Sequence, residues 1–157
     1  MPTDDHTLRT QLVEFLRGGS AHIEMREALK DFPPELYGAK PEGAPHSAWQ
    51  LLEHIRFTLH DLHEFCTNPK YVAPDWPKDY WPKDDAPPSK DAWKTCAKEI
   101  QEDLAEFEKL TGDPASNLYA PIPWGDGQNL LREILLAGDH TSYHLGQLVM
   151  LRKQLEK

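Results

Sequence analysis

Apolar residues recur along this chain at spacings of three and four, the rhythm of helices that turn one face to a core. No segment alternates with the period of two that a half-buried strand needs. Four stretches carry the rhythm. In the first, about residues 4–30, Leu8, Leu12, Phe15, Leu16, Ile23 and Leu29 fall near one another, but Gly18-Gly19-Ser20 interrupts the pattern. Each glycine inside a helix costs roughly 1 kcal/mol relative to alanine, so the pair marks a kink, a close helix contact or a break. The second stretch opens on Ser47-Ala48-Trp49-Gln50, a Ser-x-x-Gln capping box that satisfies orphan amides at a helix start. Its stripe of Leu51, Leu52, Ile55, Leu59 and Leu62 predicts a helix to about Cys66. Ser89 is placed to cap a third, along which Trp93, Ala97, Ile100, Leu104, Phe107 and Leu110 repeat up to Gly112. The fourth runs over about 128–155.

Proline and glycine gather between these stretches. Residues 67–88 hold Pro69, Pro74, Pro77, Pro82, Pro87 and Pro88 and predict an irregular loop, with Tyr71, Trp76, Tyr80 and Trp81 set between the prolines. These aromatics read as packing against the bundle; a lid, a pocket edge or a dimer contact are the alternatives. Residues 113–127, ending Pro121-Ile122-Pro123-Trp124-Gly125-Asp126-Gly127, form a second connection. The pattern therefore predicts an all-α fold, a four-helix bundle with long irregular connecting loops. At 157 residues the chain has the length of one ordinary domain, so 1–157 is taken as a single unit.

Charge and composition remove several functions. Seventeen Lys and Arg stand against 26 Asp and Glu, a formal charge of −9, which has the wrong sign for a phosphate-binding surface. Nucleic acid and anionic membrane are not the expected partners. No run of 18 apolar residues and no basic-then-apolar leader occurs, so no membrane span is expected, and a cytoplasmic address is the default. Cys66 and Cys96 form no CxxC pair and read as reduced core or near-core thiols.

The candidate chemistry is histidine. His140 and His144 stand four residues apart on the last helix and project from one face, on the flank of an apolar stripe centred near Leu130, Ile134, Thr141, Leu145 and Leu148. Inward-facing imidazoles need partners, since an unpaired buried polar group costs on the order of 1–3 kcal/mol. One metal ion would satisfy both; without it each ring needs its own acceptor. On the second helix His54 flanks the apolar stripe, on a line shared with Thr58, Asp61 and Phe65, so it is the bundle-facing candidate for a third ligand. By itself such a residue is more commonly a hydrogen-bonded group at the core edge. His60 and His63 fall with Glu53, Arg56 and Glu64 and read as solvent-exposed, and His6, His22 and His46 receive no role.

Three segments together resemble a known family, the DinB-like (YfiT-like) metal-binding four-helix bundles. They are Ser47-Ala48-Trp49-Gln50-Leu51-Leu52-Glu53-His54, then Pro123-Trp124-Gly125, then Asp139-His140-Thr141-Ser142-Tyr143-His144-Leu145-Gly146-Gln147 with its H-x-x-x-H-x-G-Q ending. The resemblance implies that His54, His140 and His144 hold one divalent metal ion, nickel, zinc, iron or manganese, with positions left open for water or substrate. Members with assigned chemistry include thiol transferases using bacillithiol or mycothiol and a mycothiol-linked isomerase. The expected function is thus a metal-dependent thiol S-transferase acting on a small electrophile. A metal-assisted hydrolase or isomerase, or a non-enzymatic metal- or ligand-binding stress protein, are the alternatives. The resemblance and the aromatic loop together point to a homodimer.

Other residues near the motifs are weighed in the same way. Three imidazoles without thiolate suit borderline divalent metals, and a three-ligand set is the catalytic rather than the structural arrangement. No catalytic residue beyond the ligands is assigned. Glu133, two turns before His140, reads as a solvated carboxylate in a first turn favoured by the helix dipole, with a role beside the metal or as general base as the alternative. Gln147 either orients a ligand or bonds the neighbouring helix. Trp49 and Trp124 read as packing, with a wall of the metal pocket as the alternative. Protons should compete with metal near the unperturbed histidine value of about 6.5.

Overall fold

The computed structural model describes residues 4–157 and contains, among them, helices, turns and loops with no strand. The helices are α1 (Asp4–Arg17), α2 (Met25–Leu29), α3 (Ala48–Thr67), α4 (Lys90–Gly112) and α5 (Leu130–Leu155), with a 3₁₀ turn at Pro34–Leu36. The first periodic stretch is broken: Gly18 and Gly19 take φ of +71° and +81°, a region that side-chain-bearing residues rarely enter, and the chain turns out of α1 there. Arg9, only 7 % exposed, donates to the carbonyls of Thr111, Asp113 and Ser116, so a cation sits on the C-terminal end of α4 and ties α1 to it.

Four long helices form the bundle. α3 packs against both α4 and α5, and α1 packs against the same two, so the order around the bundle is α1, α4, α3, α5. Leu52, Ile55 and Leu59 of α3 meet Ile100 and Phe107 of α4 and Ile134 and Leu148 of α5, each no more than 1 % exposed. Cys96 lies in that core and Cys66 at its edge, both free; burial pushes the Cys66 thiol up to about 12. The Phe65 end of α3 lies beside the chain that leads into α5, where Trp124 Nε1 donates to the Phe65 carbonyl at 2.7 Å. The two helices therefore run antiparallel, which sets the middle of α3 against the middle of α5. Among the described residues no helix is long and apolar enough to cross a membrane.

The start of α3 is the best-determined boundary. Ser47, wholly buried, accepts from the Gln50 backbone amide through Oγ at 3.1 Å, and Gln50 Oε1 accepts from the Ser47 amide at 3.1 Å. The same Ser47 hydroxyl donates to the carbonyl of Asp85, and Gln50 Nε2 donates to that of Pro82. One cap thus starts the helix and fastens the far end of the 68–88 loop. Replacing Ser47 by Ala should cost about 1–2 kcal/mol of stability, read as a lower urea midpoint with an unchanged slope; an unaltered midpoint would show that the cap contributes nothing to α3.

Candidate metal centre

Antiparallel packing of α3 on α5 brings three imidazoles into one place. One ring nitrogen from each of His54, His140 and His144 lies within 4.8 Å of the others. The ring centroids are 4.8 Å apart for His54 and His140, 4.6 Å for His54 and His144, and 4.5 Å for His140 and His144. Nitrogens bound to one zinc stand within about 4.2 Å of one another, twice a bond of about 2.1 Å, so the cluster is close to the size a shared cation sets. His54 and His144 are buried and His140 half-buried, and no carboxylate belongs to the group.

The hydrogen bonds around the cluster select tautomers. His54 Nδ1 lies 2.9 Å from the carbonyl oxygen of Tyr80, which can only accept, so Nδ1 carries the proton and Nε2 keeps its lone pair. His144 Nδ1 donates to Gln147 Oε1 at 2.7 Å, with the same consequence for its Nε2. His140 Nε2 stands 3.0 Å from His54 Nε2. With no cation between them, His140 would donate there and leave its Nδ1, which is buried and has no partner, unsatisfied. Two rings held with their lone pairs toward a third, each by a hydrogen bond at its outer nitrogen, are what a site for one divalent cation requires. The residues fit the metal that the resemblance implies.

Burial also sets the charge of the cluster. Loss of hydration pushes His54 down to about 4 against the opposing hydrogen bond to Tyr80, and pushes His140 down to about 3, with His144 and His54 adding to it. His144 is lowered for the same first reason. All three are neutral near pH 7, the form that binds metal. Competition from protons therefore begins below the ordinary histidine value of 6.5 rather than at it.

An aromatic loop closes over the cluster. The Trp81 indole stacks on the His54 ring at 3.7 Å and 8° between planes, and His46 stacks on Trp81 at 3.9 Å. In the sequence Trp81 is one of four loop aromatics and His46 a histidine without a role. Another of the four, Trp76, is 65 % exposed. Trp49, by contrast, is a core side chain, and Trp124 sits at the Phe65 end of α3, three turns from His54. The indole against the imidazoles is neither of these.

Two further expectations need correction. Glu133 is not solvated but 1 % exposed, because the chain before α5 folds over its first turn: Leu131 N donates to the Leu118 carbonyl and Pro121 bridges Asn129. It pairs with Arg132 and lines, with Asp61, Phe65, Tyr71 and Trp124, a cleft of about 420 Å³ between α3 and α5. His63 is half-buried, edge-on to the Phe107 ring, while His60 is exposed beside Asp103. Gln147 meets His144 within its own helix, accepting from Nδ1 at 2.7 Å.

A family model described as the DinB superfamily matches residues 21–148, a span that holds α3, the loop over the cluster and both histidines of α5. No curated protein and no solved structure matches the chain.

The lowered histidines make the metal-free protein sensitive to acid in a defined direction. Between the unfolded value of about 6.5 and the folded values of about 4 and about 3, the unfolded chain binds more protons than the folded one. This part of the stability is complete above pH 6.5, falls as pH is lowered, and levels near pH 3. Urea melts of metal-free wild type from pH 7.5 to 3.5 should show the fall, and His54→Gln with His140→Gln should flatten it; parallel curves would refute burial of neutral rings.

Proposed function

The chain belongs to the DinB superfamily, and on that premise we propose that His54, His140 and His144 bind one divalent metal ion, which the protein uses to activate a low-molecular-weight thiol toward a small electrophile. The observation that carries the reading is the convergence of three neutral imidazoles from two helices, two buried and one half-buried, with the tautomers of two of them held by hydrogen bonds. Nickel, zinc, iron and manganese all suit such a donor set. When bound, the metal supplies Lewis acidity, which lowers the pKa of a neighbouring thiol or water.

The chain's own residues do the rest. The Tyr80 carbonyl and Gln147 hold His54 and His144 in the orientation that exposes Nε2. Trp81 excludes water from one face of His54 and lowers the dielectric around the ring. Tyr143, 64 % exposed, sets its ring edge-on to His144 at 4.9 Å.

The same Lewis acidity would serve a hydrolase or isomerase, and a metal-binding module would need no reaction at all. Cobalt-substituted protein titrated with cysteine, glutathione and bacillithiol separates the three: thiolate-to-metal charge transfer supports the transferase, ester turnover without it the hydrolase, and neither the binding module. Beneath all of these lies the ion itself. His140→Ala and His144→Ala should each lose most bound metal, whereas His60→Ala should lose none. In the wild type a hundredfold excess of metal over the dissociation constant should add about 2.7 kcal/mol to stability. Stoichiometric metal retained by both mutants would sink the site.

A further inference from the structure

The loop over the imidazoles is fastened by a group that touches none of them. Asp61 lies seven residues after His54, two turns along the same side of α3, and is half-buried. Its Oδ1 accepts from the Tyr71 hydroxyl at 2.8 Å and its Oδ2 from the Tyr80 hydroxyl at 2.6 Å, so one carboxylate grips two points of the loop. Hydrogen bonds to an ionised acceptor are roughly twice as strong as neutral ones. Burial, together with the carboxylate, pushes both phenols above their ordinary value, so both remain protonated donors.

Tyr80 faces two ways. Its side chain is held by Asp61 and wedged edge-on between the rings of Phe57 and Trp76, at 5.0 and 4.9 Å. Its carbonyl accepts the hydrogen bond of His54 Nδ1–H, and the next residue, Trp81, stacks on the same ring. Beyond Trp81 the loop is fastened by Gln50 to Pro82 and by Ser47 to Asp85. On the near side, Asp61 supplies the fastening at Tyr71 and Tyr80.

We propose that Asp61 is a positioning residue for the imidazole cluster: by holding Tyr71 and Tyr80 it keeps the Tyr80 carbonyl against His54 Nδ1, so that His54 presents its Nε2 lone pair and binds a divalent cation more tightly. Asp61 is not itself a ligand. The effect on affinity rests on the metal-binding reading above; the effect on the His54 ring does not.

The test uses the full chain with Asp61→Ala, Asp61→Asn and Tyr80→Phe, and two readouts. In metal-free, nitrogen-15-labelled protein, long-range proton–nitrogen spectra report each ring's tautomer. Wild-type His54 should be the Nδ1–H form, and Asp61→Ala and Tyr80→Phe should turn it into a mixture while His144, held by Gln147, stays as it is. In cobalt titrations Asp61→Ala should weaken binding about tenfold, the lower end of what partners of metal ligands contribute. Asp61→Asn, which keeps one acceptor oxygen, should lose less, and Tyr80→Phe in the Asp61→Ala background should add nothing. Tyr80→Phe removes one hydroxyl, so it tests the contact without endangering the fold. An unchanged His54 tautomer in both Asp61→Ala and Tyr80→Phe would overturn the proposal. A shifted tautomer in a protein whose wild type binds no cobalt would instead support the positioning of His54 and overturn the metal reading with its affinity effect.

Discussion

Three imidazoles largely removed from water between α3 and α5, with no carboxylate among them, impose the constraint around which the rest of the site is arranged. Desolvation holds them neutral, and a neutral ring has one nitrogen that must donate and one that must accept. The outer nitrogen of His54 is met by a loop carbonyl and that of His144 by the amide of Gln147. The inner nitrogens then face one another with more lone pairs than protons. Such a cluster is costly unless a cation occupies it, and that cost is the physical case for a metal.

The bundle makes this arrangement affordable by supplying rigidity where the rings are anchored. His54 stands on a helix whose start is held by a reciprocal cap, and His140 and His144 stand one turn apart on a helix buried along Ile134, Thr141, Leu145 and Leu148. The loop above them has no such regularity, and it is held instead at discrete points: Asp61 on two tyrosines, His54 on Tyr80, Gln50 on Pro82 and Ser47 on Asp85. These four anchors belong to α3 or its cap, so the helix that carries His54 also carries much of the fastening of its cover, to which Lys40 adds an ion pair with Asp85.

The polar cleft at the other end of the α3–α5 seam shows how strongly chain connectivity alters a local reading. A glutamate in the first turn of a helix is ordinarily solvated and favoured there by the helix dipole. Glu133 is buried because the 118–129 segment returns across that turn, and it pairs there with Arg132. Asp61 lines the same cleft while gripping the loop, so the cleft and the cover over the imidazoles share a wall.

What the sequence by itself determined is what obeys local periodicity. Helix spacing placed the stripes of α3, α4 and α5, Ser47 and Ser89 marked the starts of the first two, and an angle of 100° per residue turned His54, His140 and His144 inward while leaving His60 outside. These features depend on neighbours within a few residues, so they can be read along the chain. The tertiary structure alone decided that Gly18 and Gly19 break the first helix, that Glu133 is buried, that Trp81 rather than Trp49 or Trp124 covers His54, and that Asp61 serves the loop. Each of those depends on where a segment without a repeating pattern returns to the bundle, and that is set by contacts between residues far apart in sequence, such as Tyr80 with His54 and Leu131 with Leu118.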